Sequence, residues 1–319
     1  MFQFIYNLLW GDLITIPLPG GSSLGLSLLV ILLIPSGIYF TIRTKFLPFR
    51  LFPEMLHAAL EKNDTAHKDS ISGIQALIVS TACRVGMGNL VGVVAAISAG
   101  GAGAVFWMWL IAVFGASTAF IEATLAQIYK ERDPLYGGYR GGPAYYIHHL
   151  FRKTSSKNKR SVLAVLFALS GLICWCGISQ VIGNSISSAV ENAFHIPPLY
   201  TAVVLVAVAA VIVLRKNATV KVLDIMVPNM AGCYFLLTLF IIIKNIDLLP
   251  SVFQRIFAEA LGFRQAAAGG IGAVIMNGAK RGLFSNEAGS GSAPGAAAAA
   301  EISHPAKEGL LQSLGVFID

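Results

Sequence analysis

The sequence has 319 residues, of which 55% are hydrophobic and only 12% charged, with a mean hydropathy of +0.71. A soluble domain carries about 25% charged residues, so this composition excludes one and points to a polytopic membrane protein. The net charge of +7 does not mark a nucleic-acid binder, because most basic residues sit in a few loops between apolar spans, where topology signals lie.

Residues 1–23 read as an interfacial N-terminus, with Phe2, Phe4, Tyr6 and Trp10 on a short headgroup-level helix and a turn at Pro17, Pro19, Gly20 and Gly21. No basic n-region precedes the first apolar run, so no cleavable signal peptide is expected. A first span covers 24–42, with a kink predicted at Pro35. The polar loop 43–70 contains a candidate amphipathic surface helix over 47–60. The second span, 71–99, holds Val85-Gly86-Met87-Gly88-Asn89 at its middle. Gly costs about 1 kcal/mol against Ala inside a helix, and Asn competes for backbone hydrogen bonds. These residues either break the helix at mid-membrane to free backbone groups for a ligand or merely permit close helix packing.

A third span covers about 104–129 and contains Glu122. The basic loop 130–161 carries Gly137-Gly138 and Gly141-Gly142-Pro143, with a short helix expected over 144–151. The fourth, fifth and sixth spans are 162–188, 199–214 and 222–243, followed by a surface helix over 251–260. The segment 266–300 is too long for one span, and the run Gly289-Ser-Gly-Ser-Ala-Pro-Gly295 is expected to end any helix there. A new apolar segment begins near Leu310; residues 310–319 are too few to cross a bilayer, so the chain is expected to be C-terminally incomplete.

Loops 43–70, 130–161 and 215–221 hold 5, 8 and 3 Lys and Arg, whereas 1–23, 100–103 and 189–198 hold none and 244–265 holds 3. The positive-inside rule then places the N-terminus outside the cell and the basic loops in the cytoplasm. From Ile71, about 15 residues at ~1.5 Å each reach the midplane near Gly86; from Ala266, about 11 reach Asn277-Gly278, a second helix-weak pair. The two segments run in opposite directions, and each opens a set of spans. This predicts an all-α inverted-repeat bundle with two discontinuous helices, with 24–42 as an extra span, 71–243 as the first five-span repeat and 266–319 as the start of the second.

At such breaks, the N–H groups of Met87 and Gly88 favour a carboxylate. The carbonyls of Ala82 and Val85 and the Asn89 amide oxygen suit a hard cation, sodium or proton not being distinguished by composition. Arg84 lies near mid-membrane, where a charge is costly unless paired or wet; it reads as a gate or partner of Glu287 or Glu122, or as a structural ion pair. Glu287 reads as an inner-gate residue or a loop-capping carboxylate. Asp319 could assist a cation site. Cys83, Cys174, Cys176 and Cys233 fall in apolar spans at spacings that fit neither CxxC nor zinc. Gly289-Ser-Gly-Ser lacks a base for a nucleophilic serine, and His148-His149 reads as a solvated pair. No enzymatic chemistry, metal centre or cofactor is expected.

The stretches Arg84-Val-Gly-Met-Gly-Asn-Leu-Val-Gly-Val and Gly100-Gly-Ala-Gly-Ala-Val-Phe-Trp-Met-Trp, with Arg281-Gly-Leu-Phe-Ser-Asn-Glu-Ala-Gly-Ser-Gly-Ser-Ala-Pro, resemble the alanine or glycine:cation symporter family. Val85-Gly-Met-Gly-Asn89 is also similar to the first broken helix of neurotransmitter:sodium symporters. The resemblance implies a LeuT-type fold and sodium-coupled uptake of alanine or glycine across a bacterial inner membrane. It implies substrate contacts from Gly86, Met87, Gly88 and Asn89, sodium ligation by Ala82, Val85 and Asn89, and, by position in the second broken helix, substrate contacts from Asn277 and Gly278. Family members often carry Thr at the position of Met87 and Gln at that of Ile182; Gln180, two residues earlier, is taken as the substrate-binding glutamine. The implied partners are a small amino acid, sodium and membrane lipid, with no nucleic acid or obligate protein partner. A passive amino-acid channel and a truncated non-transporting remnant or sensor are the alternatives.

Overall fold

The computed structural model of the chain describes Gln3, Asn7 and residues 11–17, 23–60, 71–134, 137–151, 161–214, 218–262 and 270–319. The interfacial aromatics Phe2, Phe4, Tyr6 and Trp10 and the turn at Pro19, Gly20 and Gly21 lie outside the described residues. The chain begins with an antiparallel hairpin of β1 (Ile14–Pro17) and β2 (Ser23–Leu26), in which Ile14 pairs with Leu26. Residues 24–26 therefore belong to a strand and not to the first span. Helix α1 (Leu28–Arg43) follows and runs through Pro35. The ring removes the N–H that Ile31 would accept, and next to it the Ser36 hydroxyl donates to the Leu32 carbonyl at 2.6 Å.

The predicted amphipathic helix over 47–60 is two short helices, α2 (Leu47–Arg50) and α3 (Phe52–Leu60). It is anchored by Met55, which is fully buried and packs with Leu47 and Leu314, while Phe49, Phe52, Leu56 and Leu60 stay exposed. Next come α4 (Gly73–Arg84), α5 (Met87–Gly100) and α6 (Ala104–Ile128). Helix α4 starts in a reciprocal cap, with the Ser72 hydroxyl accepting from Gln75 N at 3.2 Å and the Gln75 side chain accepting from Ser72 N at 3.0 Å. The loop after α6 contains a second hairpin, β3 (Glu131–Arg132) with β4 (Tyr139–Arg140), before α7 (Pro143–Phe151). Helices α8 (Val162–Phe194), α9 (Pro198–Leu214) and α10 (Ala218–Lys244) follow, then α11 (Leu249–Ala260), α12 (Gly270–Asn286), α13 (Ala293–Ala299) and α14 (Pro305–Ile318). Among the described residues the regular structure is helical apart from the two hairpins and a parallel bridge between Ile71 and Ala300.

Helix α6 is the central post, packed by α1, α11, α12, α13 and α14. Its buried face is small: Ala104, Gly115, Ala116, Ala119, Ala123 and Ala126. Small side chains let backbones approach where lipid gives no hydrophobic drive between helices. Polar ties complete the contacts. The Thr41 hydroxyl donates to Ser117 Oγ at 3.0 Å, and Gln127 Nε2 donates to the carbonyls of Ala300, at 2.8 Å, and Ala297.

Among the described residues three helical stretches are long and apolar enough to cross a membrane: Ala104–Ile128, Val162–Phe194 and Ile225–Lys244. Only 6% of the most apolar window of each of the last two is buried, against 44% for α6, so α6 is interior while the other two present their sides outward. Leu28–Arg43 and Pro198–Leu214 are shorter apolar helices, and α4 and α5 are two short apolar helices end to end.

Candidate functional site

The second predicted span is interrupted inside its central motif. Helix α4 ends at Arg84, Val85 is extended (φ −73°, ψ 96°), and α5 restarts at Met87 after Gly86. Val85 N still donates to Thr81 O at 2.7 Å, but Gly86 N turns to the Asn89 side-chain oxygen at 3.3 Å. The Ala82 carbonyl thereby loses the donor that a continuous helix would bring to it. Beyond the break, the first backbone bonds of α5 run from Asn89 N and Leu90 N to Gly86 O, so the N–H groups of Met87 and Gly88 have no acceptor within their own helix.

The second interruption is not at Asn277-Gly278. Helix α12 runs unbroken through both residues. Asn277 Nδ2 donates to Ala273 O at 2.9 Å, within the helix. A Cβ at position 278 would overlap the Ala104 carbonyl oxygen and stand 2.6 Å from Trp107 Cβ. The glycine is there so that α12 can lie against α6, and this contact outweighs the ~1 kcal/mol that Gly and a mid-helix Asn cost. Asn277 instead touches Gly100, at the far end of α5, about 20 Å along that helix from Gly86. Unwinding comes at 287–292, where Glu287 (φ 51°), Gly289 (φ 93°) and Gly291 (φ 86°) take left-handed backbone angles that end a helix far more firmly than a Gly in the α region.

The first interruption meets the end of α12, just before the second. Gly88 packs against Phe284 and Ser285, the last turn of α12. A cavity of about 670 Å³ opens there, lined by Val85, Gly86 and Asn89 from the first break, Ser285 and Asn286 from the last turn of α12, and Asp319. Its walls include Val93, Met108, Trp109, Tyr234 and Phe235. Asn89 is the hub: its Nδ2 donates to Asp319 O at 3.1 Å and to Asp319 Oδ1, and Ser285 Oγ donates to Asp319 Oδ2 at 3.4 Å.

Of the predicted site residues, Val85, Gly86 and Asn89 line this cavity, Gly88 packs against Phe284 and Ser285, and Ala82 lies one turn before the break. The Met87 side chain lies outside the described residues. Gln180 is elsewhere, in a groove between α8 and α9 with Asn184 and Ser187. A two-residue offset on a helix rotates a side chain by about 200°, so a glutamine at 180 cannot take the direction of one at 182. Ser285 and Asn286 were missed. Their sequence signal was weak, because the positive-φ residues that end α12 just after them carry glycine at only two of three positions.

Arg84 is buried, at 2% exposure, and donates from Nη1 to the Gln312 carbonyl of α14 at 3.2 Å. Gly315 makes room for it, since a Cβ there would stand 2.5 Å from Nη1. Its charge acts on Glu122, Glu287 and Asp319. Glu122 Oε2 accepts from Gly289 N at 3.1 Å, and Glu287 Oε2 accepts from the Ser292 hydroxyl at 2.5 Å. Both acids thus fasten the unwound segment, while Arg84 is tied to α14.

A family model of the sodium:alanine symporters matches residues 21–319. The chain is 47% identical to the amino-acid carrier protein AlsT of Bacillus subtilis, the match covering 90% of this chain and 60% of AlsT. It is 45% identical to the probable sodium/glutamine symporter GlnT of the same organism, over 92% of this chain and 60% of GlnT. It is 38% identical to the sodium/alanine symporter AgcS of Methanococcus maripaludis, over 91% of this chain and 64% of AgcS. The chain therefore spans about three-fifths of the length of these relatives. With three apolar helices long enough to cross a bilayer and a matched region running from residue 21 to 319, the chain belongs to the sodium:alanine symporter family.

Proposed function

We propose that the cavity between the first helix interruption and the end of α12 is the binding site of a sodium-coupled amino-acid symporter that takes up alanine or glycine by alternating access. The observation that supports this best is that the first interruption and the last turn of α12 line one cavity with an acid beside it. The volume of about 670 Å³ lies within the range of about 300–1,000 Å³ usual for small-molecule sites. In this reading the substrate carboxylate lies against the N–H groups of Met87 and Gly88, at the positive end of α5. Sodium is held by oxygens: the carbonyls of Ala82 and Val85, the side chain of Asn89, and the Asp319 carboxylate that faces it. The apolar walls leave room for a small side chain. Asn277, Gly278 and Gln180 have no part at this cavity.

Arg84 and Glu287 act as gate elements: Arg84 ties the end of α4 to α14, and Glu287 holds the unwound segment through Ser292. The architecture is a LeuT-type inverted repeat in which residues 71–243 form one repeat and 266–319 open the next. The basic loops face the cytoplasm and the N-terminus faces outward, in a bacterial inner membrane.

The test is uptake of labelled alanine and glycine by vesicles containing the protein, with and without an inward sodium gradient. Concentrative uptake that needs the gradient is expected, and Asn89→Ala should reduce its sodium dependence. Equal accumulation with and without sodium would refute the sodium-symport reading, and equilibration without concentration would indicate a passive pore.

A further inference from the structure

Glu308 lies in the first turn of α14, has no exposed surface, and is remote from any role assigned above. Its Oε1 accepts from Gln312 Nε2 at 2.9 Å. The two remaining atoms of this same pair, Glu308 Oε2 and Gln312 Oε1, are both buried and both without a hydrogen-bond partner. A carboxylate would leave two acceptors with no donor between them. A buried polar atom left unsatisfied is destabilising, and more so when it carries charge.

The surroundings do not supply that donor. From α4, Gly73 comes close, with a Cβ there only 3.2 Å from Glu308 Oε2, and Arg84 spends Nη1 on the Gln312 main-chain carbonyl. From α6, the Thr124 hydroxyl donates to Phe120 O at 2.7 Å. Just past α6, Lys130 Nζ donates to Gln127 Oε1 at 2.8 Å and Ala300 O at 2.7 Å. Helix α3 contributes buried Met55, while its Glu54 and His57 are exposed. Glu301 and Lys307 flank the start of α14. Among the described residues, no ion pair joins Glu308 to Lys130 or Arg84; the Lys130 charge acts on Glu308 from a distance, while its ammonium donates elsewhere.

We propose that Glu308 is a proton-binding site, in which a proton on Oε2 is donated to Gln312 Oε1 and closes a two-bond ring between the carboxylic acid and the amide. One proton satisfies both orphaned atoms and removes the buried charge. Because α14 is packed on α3, α4 and α6, water reaches this proton only when those helices part. Helix α4 is the first half of the broken helix, so proton release is tied to its movement. On the symport reading above, the transporter then carries or senses a proton at a place separate from its sodium site.

The test is infrared spectroscopy of the purified full chain across a pH titration, comparing wild type with Glu308→Gln and Gln312→Leu. Glu308→Gln is expected to fold, because a neutral amide reproduces both arms of the ring, and to lose one component of the protonated-carboxyl band. Gln312→Leu is expected to move that component to the higher frequency of a more weakly bonded acid. Loss of carboxylate intensity in place of acid intensity in Glu308→Gln would overturn the proposal, as would failure of this variant to fold. These readouts involve no transport, so a failed uptake assay and a failed proton site are told apart.

Discussion

Substituting Gly278 by Ala separates the two roles a glycine can have in these helices. A Cβ at this position overlaps the Ala104 carbonyl oxygen and lies 2.6 Å from Trp107 Cβ. One of those obstacles is backbone, so α12 must shift bodily off α6. Overpacking of this kind costs about 1–3 kcal/mol, and the upper part of that range applies where backbone is struck. Replacing Gly by Ala inside a helix returns about 1 kcal/mol, leaving a net loss of about 2 kcal/mol. Gly92→Ala in α5 is the control: a Cβ there meets nothing within 4 Å, so only the gain of up to about 1 kcal/mol remains. Equilibrium unfolding in mixed micelles, followed by circular dichroism, should show opposite signs for the two variants. Equal stability of Gly278→Ala and wild type would refute the close-packing account and reopen a helix break at Asn277-Gly278.

Ser72→Ala removes one arm of the cap on α4 and should cost about 1 kcal/mol, read as faster amide exchange confined to the first turn of that helix. Gln127→Leu withdraws the amide from the Ala300 and Ala297 carbonyls and should destabilise by about 1–3 kcal/mol, with proteolysis near the end of α13 increasing first; an unchanged rate would show that Lys130 alone holds this end. Glu259 gives a pH dependence. Burial works to raise its pKa, but hydrogen bonds from Arg255 and from the Gly103 and Ala102 N–H groups, with the Arg255 charge, hold it below the usual carboxylate range. A carboxyl whose folded pKa is depressed adds stability above its unfolded pKa and loses it as pH falls through the folded value. Fluorescence of Trp107, whose indole N–H donates to Ala260 O at 3.3 Å, should therefore change on acidification through that range and stay constant from neutral to alkaline pH. Glu259→Gln should abolish the acid transition, and its persistence would assign it to another group.

The membrane class, the number and order of most helices, and the helix-poor character of Val85–Asn89 follow from sequence, because apolar run length and helix-poor residues are local quantities. The short helix after Pro143 and the surface helix ending at Ala260 were legible for the same reason. Tertiary structure decided the rest. Whether a glycine breaks a helix or admits a neighbour is settled only in the folded chain: Gly86 leaves the helical region (φ −162°, ψ −144°), whereas Gly278 stays helical and a carbonyl of α6 fills the space of its missing Cβ. The second interruption, at 287–292, rests on backbone angles that glycine count alone does not give, since Glu287 adopts one of them. Only the folded chain brings Asp319 to Asn89 across 230 positions, and only it leaves Glu308 and Gln312 facing each other one donor short.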